Sequence, residues 1–315
     1  MDENIFRDQM ISKGYYVFEQ IGKGGFSLIY RVKSLKFEVE FAAKVIIENH
    51  NKVQTFQMFN NEINLLMRLD HPNIIKVYDS FYIDLGMILV LEYCPNGSLF
   101  DEISSSGPLK EIRFLKIAKE VLEVLIFSHS QNIAHRDIKP HNILFDNYGR
   151  VKLADFGIGI ITHNSSFSQD FHCSRPFASP ELLEKKPYNP MLADIWSLGA
   201  TFAYILTGSL PFPIRNTNDH LISISKEILD FPNSLNPSIK TLLVSMMKFN
   251  PEERMPLEYV YKRICEYYEI ESQTPYRKTN HGKYVTFQAL MCHRSRINLI
   301  GRYKRTKSYD SLRKV

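Results

Sequence analysis

The sequence predicts an α+β fold in which a small β-rich part precedes a larger helical one. Residues 16 to 47 alternate apolar and polar positions and are rich in β-branched and aromatic types, as strands are. Further on, apolar residues recur at helical spacing, as in Leu115, Ala118, Leu122 and Leu125. Between these regions and the C-terminal helices lie two short apolar runs around Asp146-Asn147-Tyr148-Gly149, a β-hairpin signal. A chain of 315 residues, 44% hydrophobic and 23% charged, has the length and composition to bury one large or two modest cores.

The charge is uneven. From Gln273 to Val315 there are eleven Lys/Arg and one acid, Asp310, while the other residues hold 28 basic and 33 acidic side chains. An acidic body with a basic tail (271–315) suggests an arm for an anionic partner such as nucleic acid or membrane, or a docking segment. No apolar run approaches the ~20 residues needed to span a bilayer, and the N-terminus lacks a secretory apolar region. Cys94, Cys173, Cys265 and Cys292 lie far apart without metal-site spacing. They read as reduced thiols of a cytoplasmic or nuclear protein.

Taken in order, residues 1–15 read as an N-terminal extension. The stretch Ile21, Gly22, Lys23, Gly24, Gly25, Phe26, Ser27, Leu28, Ile29 joins two strands. Glycines there let backbone N–H groups approach a phosphate. No Gly-Lys-Ser/Thr closes the stretch, so it is not a Walker loop. In Phe41-Ala42-Ala43-Lys44-Val45 a lysine interrupts an apolar strand, which costs free energy unless it is paired. Phe59, Glu62, Ile63, Leu66 and Leu69 form one helical stripe, so Glu62 on its apolar face calls for a cation. Met87 to Glu92 reads as a strand buried on both faces, broken by Pro95-Asn96-Gly97. Pro108 to His129 reads as one long amphipathic helix.

The densest chemistry runs from His135 to Gly157. Asp137, Lys139 and Asn142 occupy a polar loop, and Asp155 follows the apolar run Val151 to Ala154. The hairpin between them lets Asn142 and Asp155 converge. An amide oxygen and a carboxylate together suit a hard cation.

The stretch His135-Arg136-Asp137-Ile138-Lys139-Pro140-His141-Asn142 followed by Asp155-Phe156-Gly157 resembles the catalytic loop and D-F-G motif of eukaryotic protein kinases. Lys139, two residues after Asp137, places the resemblance on the serine/threonine branch, loosely near the calmodulin-dependent and AMP-activated groups. It covers about Tyr16 to Ile270.

The resemblance implies a two-lobed, protein-kinase-like fold with an N-lobe at 16–91, a hinge at 92–95 and a C-lobe at 96–270. Its cofactors would be ATP and Mg²⁺, and its substrates protein Ser/Thr hydroxyls. The glycine stretch becomes the phosphate-covering loop, with Ser27 in place of a third glycine and Phe26 at the tip. Lys44, held by Glu62, would meet the α- and β-phosphates. Ile21, Ile29, Ala42, Leu91 and Leu144 would line the adenine slot, and backbone groups of Glu92 and Cys94 would face the base. Asn142 and Asp155 would hold the metal. Asp137 would orient the hydroxyl, and Lys139 would stabilise the transferring phosphoryl. Phe156, His135, Leu66 and Val77 match the hydrophobic stack that couples the Glu62 helix to the catalytic loop.

In the same way, Asp155 to Glu181 is read as the activation segment, closed by Ala178-Ser179-Pro180-Glu181. Ser174 falls where the family has the Ser/Thr that touches the catalytic Asp and Lys. Asp170 falls where relatives carry a phosphorylated threonine, so it is expected to pair with Arg136. Glu181 is expected to pair with Arg254, and Asp194 to accept N–H bonds from the catalytic loop. Ser98 and His141 stand where arginine-selecting relatives carry acids. Weak arginine selectivity is therefore expected unless Asp101 or Glu102 compensates. Ile158 after D-F-G goes with a mild threonine preference, and Ser308 in the tail resembles a basophilic acceptor. Two rival classes fit less well. A small-molecule phosphotransferase would lack the Ser174–Glu181 platform and the Asp194-Ile195-Trp196-Ser197 motif. A pseudokinase would show a broken catalytic residue.

Overall fold

A computed structural model describes residues 3–24, 27–47, 52–162, 167–213, 217–226 and 228–273, together with 277–278 and 284–285. The chain divides into two units, Met1–Ile264 and Cys265–Val315.

The first unit is the predicted α+β arrangement. Its N-terminal part is one antiparallel sheet of β1 (Tyr15–Lys23), β2 (Ser27–Ser34), β3 (Glu40–Ile47), β4 (Val77–Ile83) and β5 (Gly86–Glu92), in the order β1-β2-β3-β5-β4. β3 and β5 lie inside the sheet and are largely buried, which explains the apolar run of β5 and the apolar residues on both sides of Lys44 in β3. Gly86 turns β4 into β5 at φ +147, where a Cβ would lie 2.2 Å from the Ile46 carbonyl oxygen. Only glycine fits there. Helix α2 (Lys52–Arg68) carries Phe59, Glu62, Leu65, Leu66 and, just past its end, Leu69 on its buried side.

Residues 3–12, which the sequence suggested to be an extension, form helix α1 (Glu3–Ser12). Phe6 and Met10 are fully buried in one cluster with Val17, Tyr30, Val32, Ala43, Val45, Ile88 and Val90. The Phe6 and Tyr30 rings lie 4.9 Å apart, and Arg7 donates to the Val17 and Phe18 carbonyls.

The C-terminal part is helical: α3 (Leu99–Ser106), α4 (Glu111–Ser130), α5 (Pro180–Leu183), α6 (Pro190–Thr207), α7 (Thr217–Ser225), α8 (Pro237–Met246) and α9 (Leu257–Gln273). Two-stranded pairs join β6 (Ile133–Ala134) to β9 (Ile160–Ile161) and β7 (Ile143–Phe145) to β8 (Val151–Leu153). The helix expected over Pro108 to His129 starts later, at Glu111. The Leu109 N–H bonds to the Ile205 carbonyl at 2.8 Å and Lys110 is extended, so residues 108–110 are held out of the helix. Before them α3 was missed. It begins at a capping box in which the Ser98 hydroxyl and the Asp101 carboxylate each take the other's N–H, and it ends at Gly107 with φ +78.

No helix among the described residues is long and apolar enough to cross a membrane. In the second unit, Arg277–Lys278 pairs antiparallel with Tyr284–Val285. The rest of the basic tail, with Ser308 and Cys292, lies outside the described residues.

Candidate active site

Lys44 leaves the middle of β3, opposite Ile29 on β2 and Leu89 on β5. Its Nζ lies 2.7 and 2.8 Å from the two Glu62 carboxylate oxygens and 2.8 Å from Asp155 Oδ1. All three ammonium protons are thereby used. Burial pushes the Lys44 pKa down, but the Asp155 and Glu62 carboxylates outweigh it and hold the group above its ordinary value. Lys44 beside Asp155 lowers that carboxyl to about 2, against the push of burial. Asp155 sits at φ +66, and its side chain is 43% exposed. Phe156, by contrast, is fully buried with its ring 4.5 Å from His135. Leu66 is buried nearby in α2, and Val77 is half-buried in β4 opposite Leu91.

The loop from His135 to Asn142 is shaped from behind by Asp194 of α6. This carboxylate is 1% exposed and accepts the N–H groups of His135 at 2.8 Å and Arg136 at 2.7 Å. His129 Nε2 lies 3.0 Å from the same carboxylate. Arg136 takes a positive φ of 69, so the two N–H groups fix an otherwise unfavourable turn.

In front, Asp137 is gripped from both sides. Ser174 donates to Oδ1 at 2.6 Å, while Lys139 at 2.7 Å and the Asn142 amide at 3.0 Å donate to Oδ2. Lys139 also reaches the Ser174 hydroxyl at 2.8 Å. The Asn142 amide nitrogen is turned toward Asp137, and the Ala154 N–H bonds to the Asn142 carbonyl at 2.9 Å. The hairpin thus sets Asp155 one residue from a direct tie to Asn142. The Asn142 side-chain oxygen and the partly exposed Asp155 carboxylate are hard oxygen donors, a set that fits a divalent cation.

Along the cleft, Ala42 and Leu91 face each other as cross-strand partners and are both buried. Ile29 and Leu144 are half-buried, and Ile21 is 42% exposed. Gly22 pairs with Ile29 and Lys23 with Leu28, and the Gly24 N–H closes onto the Ser27 carbonyl at 2.7 Å. Gly25 and Phe26 lie outside the described residues. The Glu92 N–H is committed to the Lys76 carbonyl at 2.8 Å and its carboxylate to Lys152 at 2.7 Å. That N–H is therefore not among the groups Glu92 offers a base. Burial raises the Cys94 thiol to about 12, so it stays neutral.

Arg136 also organises the activation segment. It donates to Asp170 Oδ2 at 2.9 Å, to the Asp170 carbonyl at 2.6 Å and to the Ile158 carbonyl at 3.0 Å. Tyr188 accepts from Arg136 and donates to the Asp170 carbonyl. Burial pushes the Asp170 carboxyl up, but hydrogen bonds from Arg136 and His172 hold it below its ordinary value. Glu181 and Arg254 form a buried two-pronged pair at 2.7 and 2.8 Å.

Sequence reasoning missed Tyr188 and Asn61. Asn61 of α2 donates to the Gly159 carbonyl at 2.7 Å, one residue before Glu62. At Gly159 a Cβ would lie 2.9 Å from Leu65 Cδ1 and 3.1 Å from the Ala134 carbonyl, so the segment runs hard against α2. Neither residue has a periodicity or motif that marks it. Their partners are 98 residues away for Asn61, and 52 and 18 residues away for Tyr188.

These features meet in one family. The chain belongs to the protein kinase domain family, whose model matches residues 15–264. It is 32% identical over 258 residues to the calcium/calmodulin-dependent protein kinase type II of Caenorhabditis elegans, covering 80% of this chain and 36% of that protein. It is likewise 32% identical over 252 residues to CBL-interacting serine/threonine-protein kinase 15 of Arabidopsis thaliana, covering 79% and 60%. With mouse Aurora kinase C it shares 30% over 244 residues, covering 77% and 87%. The chain thus spans only about a third of the length of the first relative and three fifths of the second. Protein kinase domains generally use ATP and a divalent metal.

Proposed function

We propose that this protein is a serine/threonine protein kinase that transfers the γ-phosphoryl group of ATP to protein hydroxyls. The observation that carries this reading is the assembly of two charged clusters in one cleft, Lys44–Glu62–Asp155 and Asp137–Lys139–Asn142–Ser174. Glu62 fixes Lys44, whose ammonium turns to the α- and β-phosphates of ATP. The slot of Ile21, Ile29, Ala42, Leu91 and Leu144 takes the adenine. The hinge at Glu92 and Cys94 supplies its backbone partners. When bound, Mg²⁺ on Asp155 and Asn142 supplies charge neutralisation for the phosphate oxygens. Asp137 orients the acceptor hydroxyl and takes its proton. Lys139, already 2.7 Å from Asp137, is placed to stabilise charge on the transferring group. Positioning and electrostatics supply most of the rate in this chemistry.

The salt link from Asp170 to Arg136 supports a further part of the reading, that the activation segment is ordered without phosphorylation there. A carboxylate carries less charge than a phosphate, so the ordering is partial. The basic tail as an arm for an anionic partner rests on charge alone, and a cytoplasmic or nuclear location rests on the thiols alone.

The test is ATP-dependent phosphorylation of a degenerate Ser/Thr peptide library by bacterially expressed, phosphatase-treated protein. Asp137→Asn is expected to lose at least ~100-fold in turnover, about 2.7 kcal/mol of barrier. Equal turnover in the variant sinks the assignment.

A further inference from the structure

The surface beside Asp137 has an unusual charge pattern. Asp101 and Glu102, the two acids of α3 that could have compensated for Ser98 and His141, both have partners within the protein. The Asp101 carboxylate lies 2.9 Å from the Ser98 N–H and 2.7 Å from its hydroxyl. Glu102 holds Arg113 through two bonds at 3.2 and 3.0 Å. His141 stacks on Phe100 with ring centroids 3.8 Å apart. Burial lowers its pKa, with Lys139 adding to the effect, so this ring is neutral at physiological pH. The side that would have to bind a substrate arginine therefore offers an aromatic shelf and carboxylates that already hold partners within the protein.

A second charged group near the catalytic carboxylate is Arg175. It directly follows Ser174, whose hydroxyl is 2.6 Å from Asp137. Arg175 is exposed and opens a single 3₁₀ turn, Arg175–Phe177, whose end is pinned because Ser197 donates to the Phe177 carbonyl at 2.9 Å. Its carbonyl accepts the Ala178 N–H at 3.2 Å, but its guanidinium makes no hydrogen bond and no ion pair among the described residues. An unpaired guanidinium one residue from the catalytic carboxylate's own partner is a ready donor fork for an oxyanion. An extended peptide advances about 3.4 Å per residue, and a flexible arginine side chain spans about two such steps.

We propose that Arg175 is a specificity-determining residue that recognises an acidic side chain, carboxylate or phosphate, within two positions of the acceptor hydroxyl. This rests on the kinase reading above and names the substrate class for it. Both halves of the surface agree. The internal partners of the two acids weaken the reward for a basic residue, and Arg175 repels one while attracting an anion. A single charge-assisted hydrogen bond is enough for a discrimination of about tenfold.

The experiment is a positional scan of Ser/Thr peptides carrying Asp, phosphoserine, Ala or Arg at each position from −3 to +3. It is run on the full chain and on Arg175→Glu, Arg175→Lys and Lys185→Glu, with Asp137→Asn as the control for genuine transfer. The wild type is expected to favour Asp and phosphoserine over Arg by at least ~10-fold in kcat/KM at one position within two of the acceptor. The ranking of the two anions shows which source the site prefers. Arg175→Glu is expected to reverse that preference at the same position, chiefly through KM, and Arg175→Lys to keep its sign at reduced size. Lys185→Glu makes the same charge change at another exposed cation, and is expected to keep the wild-type ranking. An acid preference that survives Arg175→Glu, or that Lys185→Glu reverses equally, overturns the assignment. So does a wild type that favours arginine at any position. Transfer without any acid preference overturns this inference alone. Absence of Asp137-dependent transfer to every peptide overturns the kinase reading and this inference with it.

Discussion

Asp155 shows how one residue's surroundings set its chemistry. Its carboxyl titrates at about 2 rather than the ordinary 3.8, because Lys44 favours the charged form. A depressed carboxyl contributes stability that is present above the unfolded value and lost as pH falls through the folded one. The contribution of Asp155 should therefore be intact at pH 6 and fade between about 3.8 and 2. Thermal melts of wild type and Asp155→Asn are expected to differ at pH 6 and converge toward pH 3. A gap that stays constant across that window means the Lys44 contact does not lower the carboxyl. Lys44 itself is raised, so it adds no acid-side loss.

Ser179 carries a second expectation. It is fully buried at the start of α5, and its hydroxyl makes no hydrogen bond among the described residues. An orphaned buried hydroxyl costs about 1–3 kcal/mol. Ser179→Ala is expected to stabilise the protein by about 1 kcal/mol, a rise of roughly 2–4 °C in Tm. A lower Tm would show that the hydroxyl has a partner.

At the level of elements, α1 binds the N-terminal sheet through a few large side chains. Phe6 is fully buried against Tyr30 in the cluster that fills the far side of β2, β3 and β5. Truncating such a residue leaves a cavity, so Phe6→Ala should cost about 3–5 kcal/mol. The readout is the midpoint of urea unfolding. An unchanged midpoint means α1 does not stay docked in solution. This helix was hidden in the sequence because it is short and has mixed polarity, and its apolar residues gain meaning only from a sheet formed later in the chain. The capping box Ser98–Asp101 was different. Its signature, a serine followed three residues later by an acid, is local and lies in the sequence itself.

At the scale of the whole first unit, Lys44 to Asp155 and Asn61 to the Gly159 carbonyl both tie the N-terminal part to the C-terminal part. Arg136 extends the second tie, because it holds the Ile158 carbonyl and Asp170 at once. Losing the Asp170 carboxylate should loosen the segment that carries Ser174, although the Asp170 carbonyl still receives Arg136 and Tyr188. Asp170→Ala is expected to lower the kcat/KM of phosphatase-treated protein by about three- to tenfold, the scale of one charge-assisted contact. Equal activity of wild type and variant would mean the segment is ordered by its backbone contacts alone.

Read alone, the sequence determined the α+β class, the strands within residues 16–47 and the one at Met87–Glu92, and the identity of nearly every charged residue in the cleft. Those features are local. Strand alternation, a lysine misplaced in an apolar run and a carboxylate on the wrong face of a helix each announce themselves within a few residues. What only the tertiary structure decided is which of these groups are already spent and which remain available. Glu102 was indistinguishable in sequence from a free acid until Arg113 was seen to hold it, and the spacing of Ser98 and Asp101 left open whether that carboxylate was used. Arg175 was one of 39 Lys/Arg until its exposed guanidinium beside Ser174, unpaired among the described residues, set it apart. The physical reason is that pairing depends on distance in space, and the contacts that settle it join residues from three to more than one hundred positions apart.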